Sequence, residues 1–157
     1  YVTPNLTMPE AKGAVIGLSD VHTRIHLYRA IIEGINFALM DGMRHMEKRG
    51  GFRFEEIRVG GGGAQSSEIC QITADMFGIP VVRTQTYEVS GIGSAIPAFV
   101  RLGVFGSYKE ALRHMVQRKD VFQPDKKQHE VYRKLYEEVY KQIYPRLSEI
   151  YGKIGKI

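Results

Sequence analysis

The clearest pattern along the chain is a run of apolar residues, three and four positions apart, that begins near Thr23. This is the period of an α-helix with one buried face, and it predicts a helix from Thr23 to about Lys48. Thr23 or Asp20 can cap its start, and the pair Gly50 and Gly51 is expected to end it. The apolar positions are Ile25, Tyr28, Ile31, Ile32, Ile35, Leu39 and Met43.

A line of small residues, spaced four apart, runs along the same helix. Its members are Ala30, Gly34, Ala38 and Gly42. Small side chains at this spacing let another backbone come close to one side of a helix. We therefore expect a sheet or a second helix to pack tightly against this line.

Shorter apolar runs, separated by glycines, predict alternating strands and helices in the rest of the chain. Strands are expected at residues 13–18, 57–60 and 79–82. Helices are expected at residues 66–77, at 94–102 after a glycine-rich turn at Gly91 and Gly93, and at 108–118. This order predicts an α/β fold with helices on the faces of a parallel sheet region. Three strands are few for a complete domain of this class, so we expect the chain to be part of a longer protein.

The last segment, from about Lys126, has the period of a helix that Pro145 should kink or restart. One of its faces carries tyrosines at positions 132, 136, 140 and 144. Tyrosines beside lysines and arginines could stack on the bases of a nucleic acid. A spacing of four is equally typical of a helix that docks onto its own domain, which is the interpretation we prefer.

Composition places the chain among folded, soluble proteins. It has 157 residues, of which 43% are hydrophobic and 25% charged. No apolar run approaches the roughly 20 residues of a membrane span, and we expect no membrane association. The lone cysteine, Cys70, cannot form an internal disulfide, which favours the cytoplasm.

The formal charge of +5 is unevenly distributed. Residues 1–106 carry 10 basic and 10 acidic side chains, whereas residues 107–157 carry 12 and 7. The basic excess therefore belongs to the C-terminal segment, and we do not expect a nucleic acid as partner.

The strongest candidate for ligand binding is the glycine loop, residues 60–65, which lies between a predicted strand and a predicted helix. Four consecutive glycines leave the backbone bare, so that a ligand could lie directly on main-chain N–H groups. The start of the next helix favours a phosphate, and Ser66 or Ser67 could cap that helix or bind the ligand. A purely structural turn is the alternative. Neither the glycine spacing of dinucleotide-binding proteins nor the Gly-Lys-Ser/Thr of a Walker loop is present.

Other polar residues are better explained by structure than by chemistry. His22 and His26 lie four apart, but a third metal ligand is not found at a useful spacing. Glu33 and Asp75 lie on apolar helices, where paired structural carboxylates are the preferred interpretation. Cys70 is expected to be a small buried residue.

Several ordered blocks resemble the FGGY family of carbohydrate kinases. Residues 13–18 and 26–33 resemble its C-terminal signature, and Gly61-Gly62-Gly63-Ala64-Gln65-Ser66 resembles the next block. Residues 71–81 and 91–95 follow in the family's order and spacing. The resemblance covers roughly residues 1 to 120, and the final helix resembles the xylulokinase branch.

The resemblance implies a sugar kinase with two actin-like, ribonuclease H-like domains that close on ATP, Mg²⁺ and a carbohydrate such as xylulose. This chain resembles the later part of the second domain, with helices on both faces of a mixed sheet and a C-terminal helix. Residues 1–122 would be the nucleotide-binding portion, and residues 123–157 a helical tail packed on it. A homodimer is one option for the assembly.

The same resemblance implies where the nucleotide binds. Gly63 and Ser67 match the family's nucleotide-contacting positions, and Gly62 and Ala64 follow by proximity. The aspartate that acts as catalytic base lies in the family's first domain, so we expect no catalytic residue and no metal ligand in this chain. The chain alone should be inactive. The alternative is a binding or regulatory module that keeps half of an actin-like domain without catalysis.

Overall fold

The computed structural model describes residues 13–156, which form two compact units. Of the described residues, one unit comprises 13–49 and 130–156, and the other comprises 50–129. The predicted division at residue 122 stays a prediction.

The first unit is built on α1, Arg24–Gly50, a helix that the apolar period predicts. The expectation that this apolar face is buried was wrong: its residues Ile25, Tyr28, Ile31, Ile35 and Leu39 are 52–71% exposed. The C-terminal segment supplies the end of α5, Lys126–Lys134, which belongs to this unit from Glu130 onward. It continues as a π-helical segment, Leu135–Tyr140, and α6, Lys141–Ile154. The helical path thus changes its winding at residues 135–140 and restarts at Lys141, with Pro145 inside α6.

The tyrosine face of the C-terminal segment packs on α1, as the preferred interpretation predicts. Tyr132 and Tyr136 are 4% and 2% exposed, and their hydroxyls donate to Glu33 and Asp41, each at 2.7 Å. Phe37 of α1 stacks on Tyr140, with ring centroids 5.0 Å apart. These tyrosines are therefore part of the unit's own core.

The second unit holds a mixed sheet of β1, Ile57–Val59, β2, Val81–Thr84, and β3, Arg118–Phe122. Strand β1 is parallel to β2, and β3 is antiparallel to β2, in the order β1-β2-β3. The helices are α2, Ser67–Phe77, α3, Val89–Arg101, and α4, Tyr108–Met115. The core lies where Cys70 and Ala74 of α2 meet Val81 of β2.

The end of α2 fixes how the chain turns into β2. Gly78 caps the helix with φ 70°, and a Cβ there would lie 2.4 Å from Cε1 of His129. His129 is held in place by the carbonyl oxygen of Asp75, 3.0 Å from its Nδ1. Only glycine combines this backbone angle with this close approach.

Four further sequence predictions were wrong. Residues 13–18 are exposed and unpaired with β1, β2 or β3, so they form no strand in the described part of the chain. Gly91 and Gly93 lie inside α3 and not in a turn, because the helix already begins at Val89. The predicted helix 108–118 ends at Met115, and residues 118–122 pair with β2 instead.

The fourth of these wrong predictions concerns the small residues of α1. Ala30, Gly34, Ala38 and Gly42 are all exposed, and a Cβ on either glycine would meet nothing within 4 Å. Within residues 13–156, therefore, nothing packs tightly on this line. The apolar contact of α1 is made instead through Phe37, which is buried together with Met40 and packs on the C-terminal tyrosines.

Candidate functional site

The glycine loop connects β1 to α2 through a single 3₁₀ turn, Gly62–Gln65. The first two glycines are required by the loop itself. A Cβ on Gly60 would lie 2.2 Å from Cγ1 of Val89 at the start of α3, and Gly61 has φ 84°. The amide of Gly61 also donates to the carbonyl of Tyr87 at 2.9 Å. These two glycines thus have a structural explanation.

The next two glycines have different surroundings. Gly62 and Gly63 are exposed and have no positive φ, and a Cβ on either would meet nothing within 4 Å. The described part of the chain therefore does not require glycine at these positions. A bare backbone that faces open space beside the start of α2 suits a ligand that lies directly against the main chain.

The structure separates the roles of the two serines. Ser66 caps α2, since its Oγ accepts from the amide of Ile69 at 3.2 Å and donates to Glu68 at 2.8 Å. Ser67 is the first residue of α2 and is exposed, with its Oγ 3.4 Å from Nη2 of Arg83. Of the two, Ser67 is the one placed on the open side of the helix start.

Ala64 anchors the glycine loop to the core of the second unit. It is 6% exposed, and its carbonyl accepts from Arg83 Nη1 at 3.2 Å and from the thiol of Cys70 at 3.5 Å. Burial raises the pKa of the Cys70 thiol, which keeps it in the protonated form that can donate. Cys70 is thus the buried structural residue that the sequence predicts.

A cleft of about 290 Å³ lies beside the loop. Ala64 and Ser67 line it together with Gln65, Arg83, Tyr87 and Lys119, whereas Gly62 and Gly63 do not. The structure therefore brings the four predicted residues onto one turn and one helix start, with two of them facing this cleft. Sequence reasoning missed that Arg83 contacts the loop and that Asp120 pairs with Arg83, because these residues lie on β2 and β3, far from the glycines along the chain.

The remaining polar candidates have structural partners. Glu33 accepts from Arg29 at 2.8 Å and from Tyr132, and Asp75 accepts from Gln71 and from the amide of Asp125, both at 2.8 Å. Nδ1 of His22 and of His26 accepts from the amides of Ser19 and Thr23. Residues 13–156 contain no group of three or more His, Cys, Asp or Glu side chains that could hold a metal ion.

Comparison with known proteins shows the family to which a chain with this loop belongs. The family model for the C-terminal domain of the FGGY family of carbohydrate kinases matches residues 3–102. The chain belongs to the FGGY family. The predicted membership and the predicted α/β fold class are both confirmed.

Individual members of the FGGY family show how much of their length this chain covers. A glycerol kinase of Geobacter sp. (strain M21) is 37% identical over 116 residues, which cover 74% of this chain and 23% of that protein. A xylulose kinase of Staphylococcus epidermidis (strain ATCC 35984) is 33% identical over 127 residues, which cover 81% of this chain and 25% of that protein. The chain thus spans about a quarter of the length of these FGGY relatives.

A solved structure supports the same FGGY fold. The crystal structure of ligand-bound xylulose kinase from Lactobacillus acidophilus aligns with a TM-score of 0.79 at 28% identity, covering 92% of this chain and 29% of that one. Among residues 13–156 of the present chain, no helix is both long and apolar enough to cross a membrane.

Proposed function

We propose that this chain is the nucleotide-binding portion of an ATP-dependent carbohydrate kinase, which transfers the γ-phosphoryl group of ATP to a sugar or polyol hydroxyl. The observation that carries the proposal is the exposed pair Gly62 and Gly63, which the described chain does not itself require, at a helix start in an FGGY C-terminal domain. Both the glycerol kinase and the xylulose kinase relatives support a carbohydrate as phosphoryl acceptor.

In this proposal the chain binds and orients the nucleotide. Phosphoryl transfer depends mostly on positioning and on neutralisation of charge, with little covalent chemistry by the protein. Gly62 and Gly63 would let a phosphate approach main-chain N–H groups, and Ser67 would offer a hydroxyl at the positive end of α2. Ala64 would complete the turn by keeping its methyl group buried beneath the nucleotide.

Mg²⁺ would neutralise the charge on the phosphates of bound ATP. The described residues bring no cluster of carboxylates together for it, so none of them is assigned a role toward the metal. The base that accepts the proton from the sugar hydroxyl is likewise proposed to lie in a part of the kinase outside this chain.

For the acceptor we propose a ketopentose such as xylulose. The xylulose kinase relative aligns over more of this chain than the glycerol kinase relative does, and a xylulose kinase aligns over nearly all of it in structure. We propose the cytoplasm as its location, where ATP and sugars are available.

A phosphorylation screen of the complete kinase, with pentuloses, polyols and hexoses as acceptors and ADP release as readout, tests both parts of the proposal. We expect ATP-dependent turnover that is fastest with a ketopentose. Faster turnover with glycerol would overturn the choice of acceptor alone. ATP binding without turnover on any acceptor would overturn the kinase and favour a regulatory module.

A further inference from the structure

The loop that carries Gly62 and Gly63 is held by a single side chain from the neighbouring sheet. Arg83 lies on β2 and is 17% exposed. Its Nη1 donates to the carbonyls of Ala64 at 3.2 Å and of Gln65 at 3.0 Å, the last two residues of the 3₁₀ turn. Arg83 therefore connects the sheet to the turn through backbone atoms, which are the atoms that define the shape of the loop.

The guanidinium is held from its other side by β3. Nε and Nη2 of Arg83 lie 2.7 Å and 2.6 Å from Oδ2 of Asp120, and Nη2 also faces the Ser67 hydroxyl. All three guanidinium nitrogens thus have protein oxygens as partners on two sides, an arrangement that the planar arginine fork allows and a lysine cannot reproduce. The ring of Phe122, 5.3 Å from the guanidinium carbon, flanks the group.

An arginine beside a proposed phosphate site could either bind the phosphate directly or hold the loop that binds it. A guanidinium that binds phosphate directly needs N–H groups directed at the ligand. Arg83 directs its N–H groups at Ala64, Gln65, Ser67 and Asp120, and its charge is paired with a carboxylate. It is therefore placed to hold the loop and not to contact the phosphate.

We propose that Arg83, anchored by Asp120, is a positioning residue that holds the glycine loop in the shape that binds ATP. This proposal rests on the proposed function. It adds that two residues, one on β2 and one on β3, determine the affinity for ATP by holding the loop. Loss of the fork would free the turn at Ala64 and Gln65, so binding would then require ordering of the loop. The sugar, which binds elsewhere in the proposed kinase, should be affected much less.

The test is steady-state kinetics of the complete kinase with Arg83→Gln and Arg83→Lys. We expect the KM for ATP to rise about ten-fold or more in Arg83→Gln, the scale of a lost charge-assisted hydrogen bond, with the KM for sugar changed less than about two-fold. Arg83→Lys keeps the charge without the fork, and its KM for ATP should remain raised.

A matched control is Arg118→Gln, on β3. Arg118 also forms an ion pair, with Glu56 at 2.7 Å, but its side chain is 58% exposed and does not touch the loop. This variant should keep the wild-type KM for ATP. The milder Asp120→Asn should raise that KM in the same direction as Arg83→Gln, and it carries the test if Arg83→Gln fails to fold.

The double variant Arg83→Gln/Asp120→Asn separates a coupled pair from two independent residues. If Asp120 acts through Arg83, the double variant should be no worse for ATP than Arg83→Gln alone. A lowered Tm with an unchanged KM for ATP, or equal increases in KM for both substrates, would overturn the inference and leave the proposed function intact. A wild-type enzyme without any ATP-dependent turnover would overturn both.

Discussion

Gly60 and Gly63 belong to one run of glycines, yet a side chain added at these two positions would meet different surroundings. At Gly63 it would project into open space, and at Gly60 it would collide with Val89. The loop thus contains one glycine that folding requires and another that the described chain does not explain.

We predict that Gly63→Val in the complete form of the proposed kinase raises the KM for ATP far more than the KM for sugar. The added side chain would occupy the space through which the nucleotide approaches the backbone, while the backbone angle at Gly63 and the open surroundings permit folding. Steady-state kinetics with ATP and sugar varied separately would measure the difference. An ATP dependence equal to that of the wild type would contradict the role given to Gly63.

Gly60→Ala is the matched control for that experiment. Its Cβ would meet the stiff, β-branched Val89, so we expect a loss of stability of about 1–3 kcal/mol, seen as a lower Tm. The enzyme that remains folded should keep its KM for ATP. If both variants changed ATP affinity alike, the separation of the glycines into structural and ligand-facing positions would be wrong.

At the scale of the elements, α1 and the C-terminal segment are joined by tyrosine hydroxyls that donate hydrogen bonds to carboxylates of α1. Burial, and then the hydrogen bonds to Glu33 and Asp41, raise the pKa of Tyr132 and of Tyr136. The folded unit therefore favours the protonated phenols. In an unfolded chain these groups lose their protons near pH 10. Their contribution to stability is complete below about pH 10 and is lost as the pH rises through the raised values.

We predict that the double variant Tyr132→Phe/Tyr136→Phe has a lower Tm at pH 8 than the wild type but a shallower fall in Tm between pH 9 and pH 11. Each lost hydroxyl should cost about 1–2 kcal/mol. Thermal unfolding of the complete protein across this pH range measures both effects. Tyr28→Phe, at a position that is 61% exposed, should reproduce the wild-type curve. Parallel pH curves for the double variant and the wild type would refute the assignment.

The helices were predictable from the sequence because their apolar positions repeat at helical spacing, as in α1 and α2. Strand β3 was not, because Arg118, Lys119 and Asp120 show no strand period, and the strand depends on pairing with β2 and with Arg83. Gly91 and Gly93 disfavour a helix locally, yet α3 continues through them, with the apolar residues Val89, Ile92 and Ile96 at helical spacing. The candidate site was likewise predictable only where its residues are close together along the chain. Its glycines form a local motif, whereas Arg83 and Asp120 reach it only through the folded sheet.

For the molecule as a whole, the exposed apolar face of α1 predicts the behaviour of the isolated chain. Tyr28, Ile31, Ile35 and Leu39 lie three and four apart and are 52–61% exposed. We predict that the isolated chain self-associates as its concentration rises, because such a contiguous apolar stripe is unfavourable in water. Sedimentation velocity over a range of concentrations would measure this.

The control for that prediction is a change of charge within the stripe. Ile35→Glu/Leu39→Glu should shift the isolated chain toward the monomer, whereas Leu102→Glu, at a residue that is 76% exposed outside the stripe, should not. A wild-type chain that stays monomeric at every concentration would show that the stripe does not drive association.

The anchoring of the glycine loop has a consequence for how the protein is made. Translation delivers the glycines and α2 first, then β2 with Arg83, and only later β3 with Asp120. A nascent chain halted before residue 118 would contain every glycine of the loop but not the strand that fixes the arginine beneath it. Under the proposal, competence to bind a nucleotide would then be acquired only once β3 has been made, after the glycine loop itself has already been synthesised.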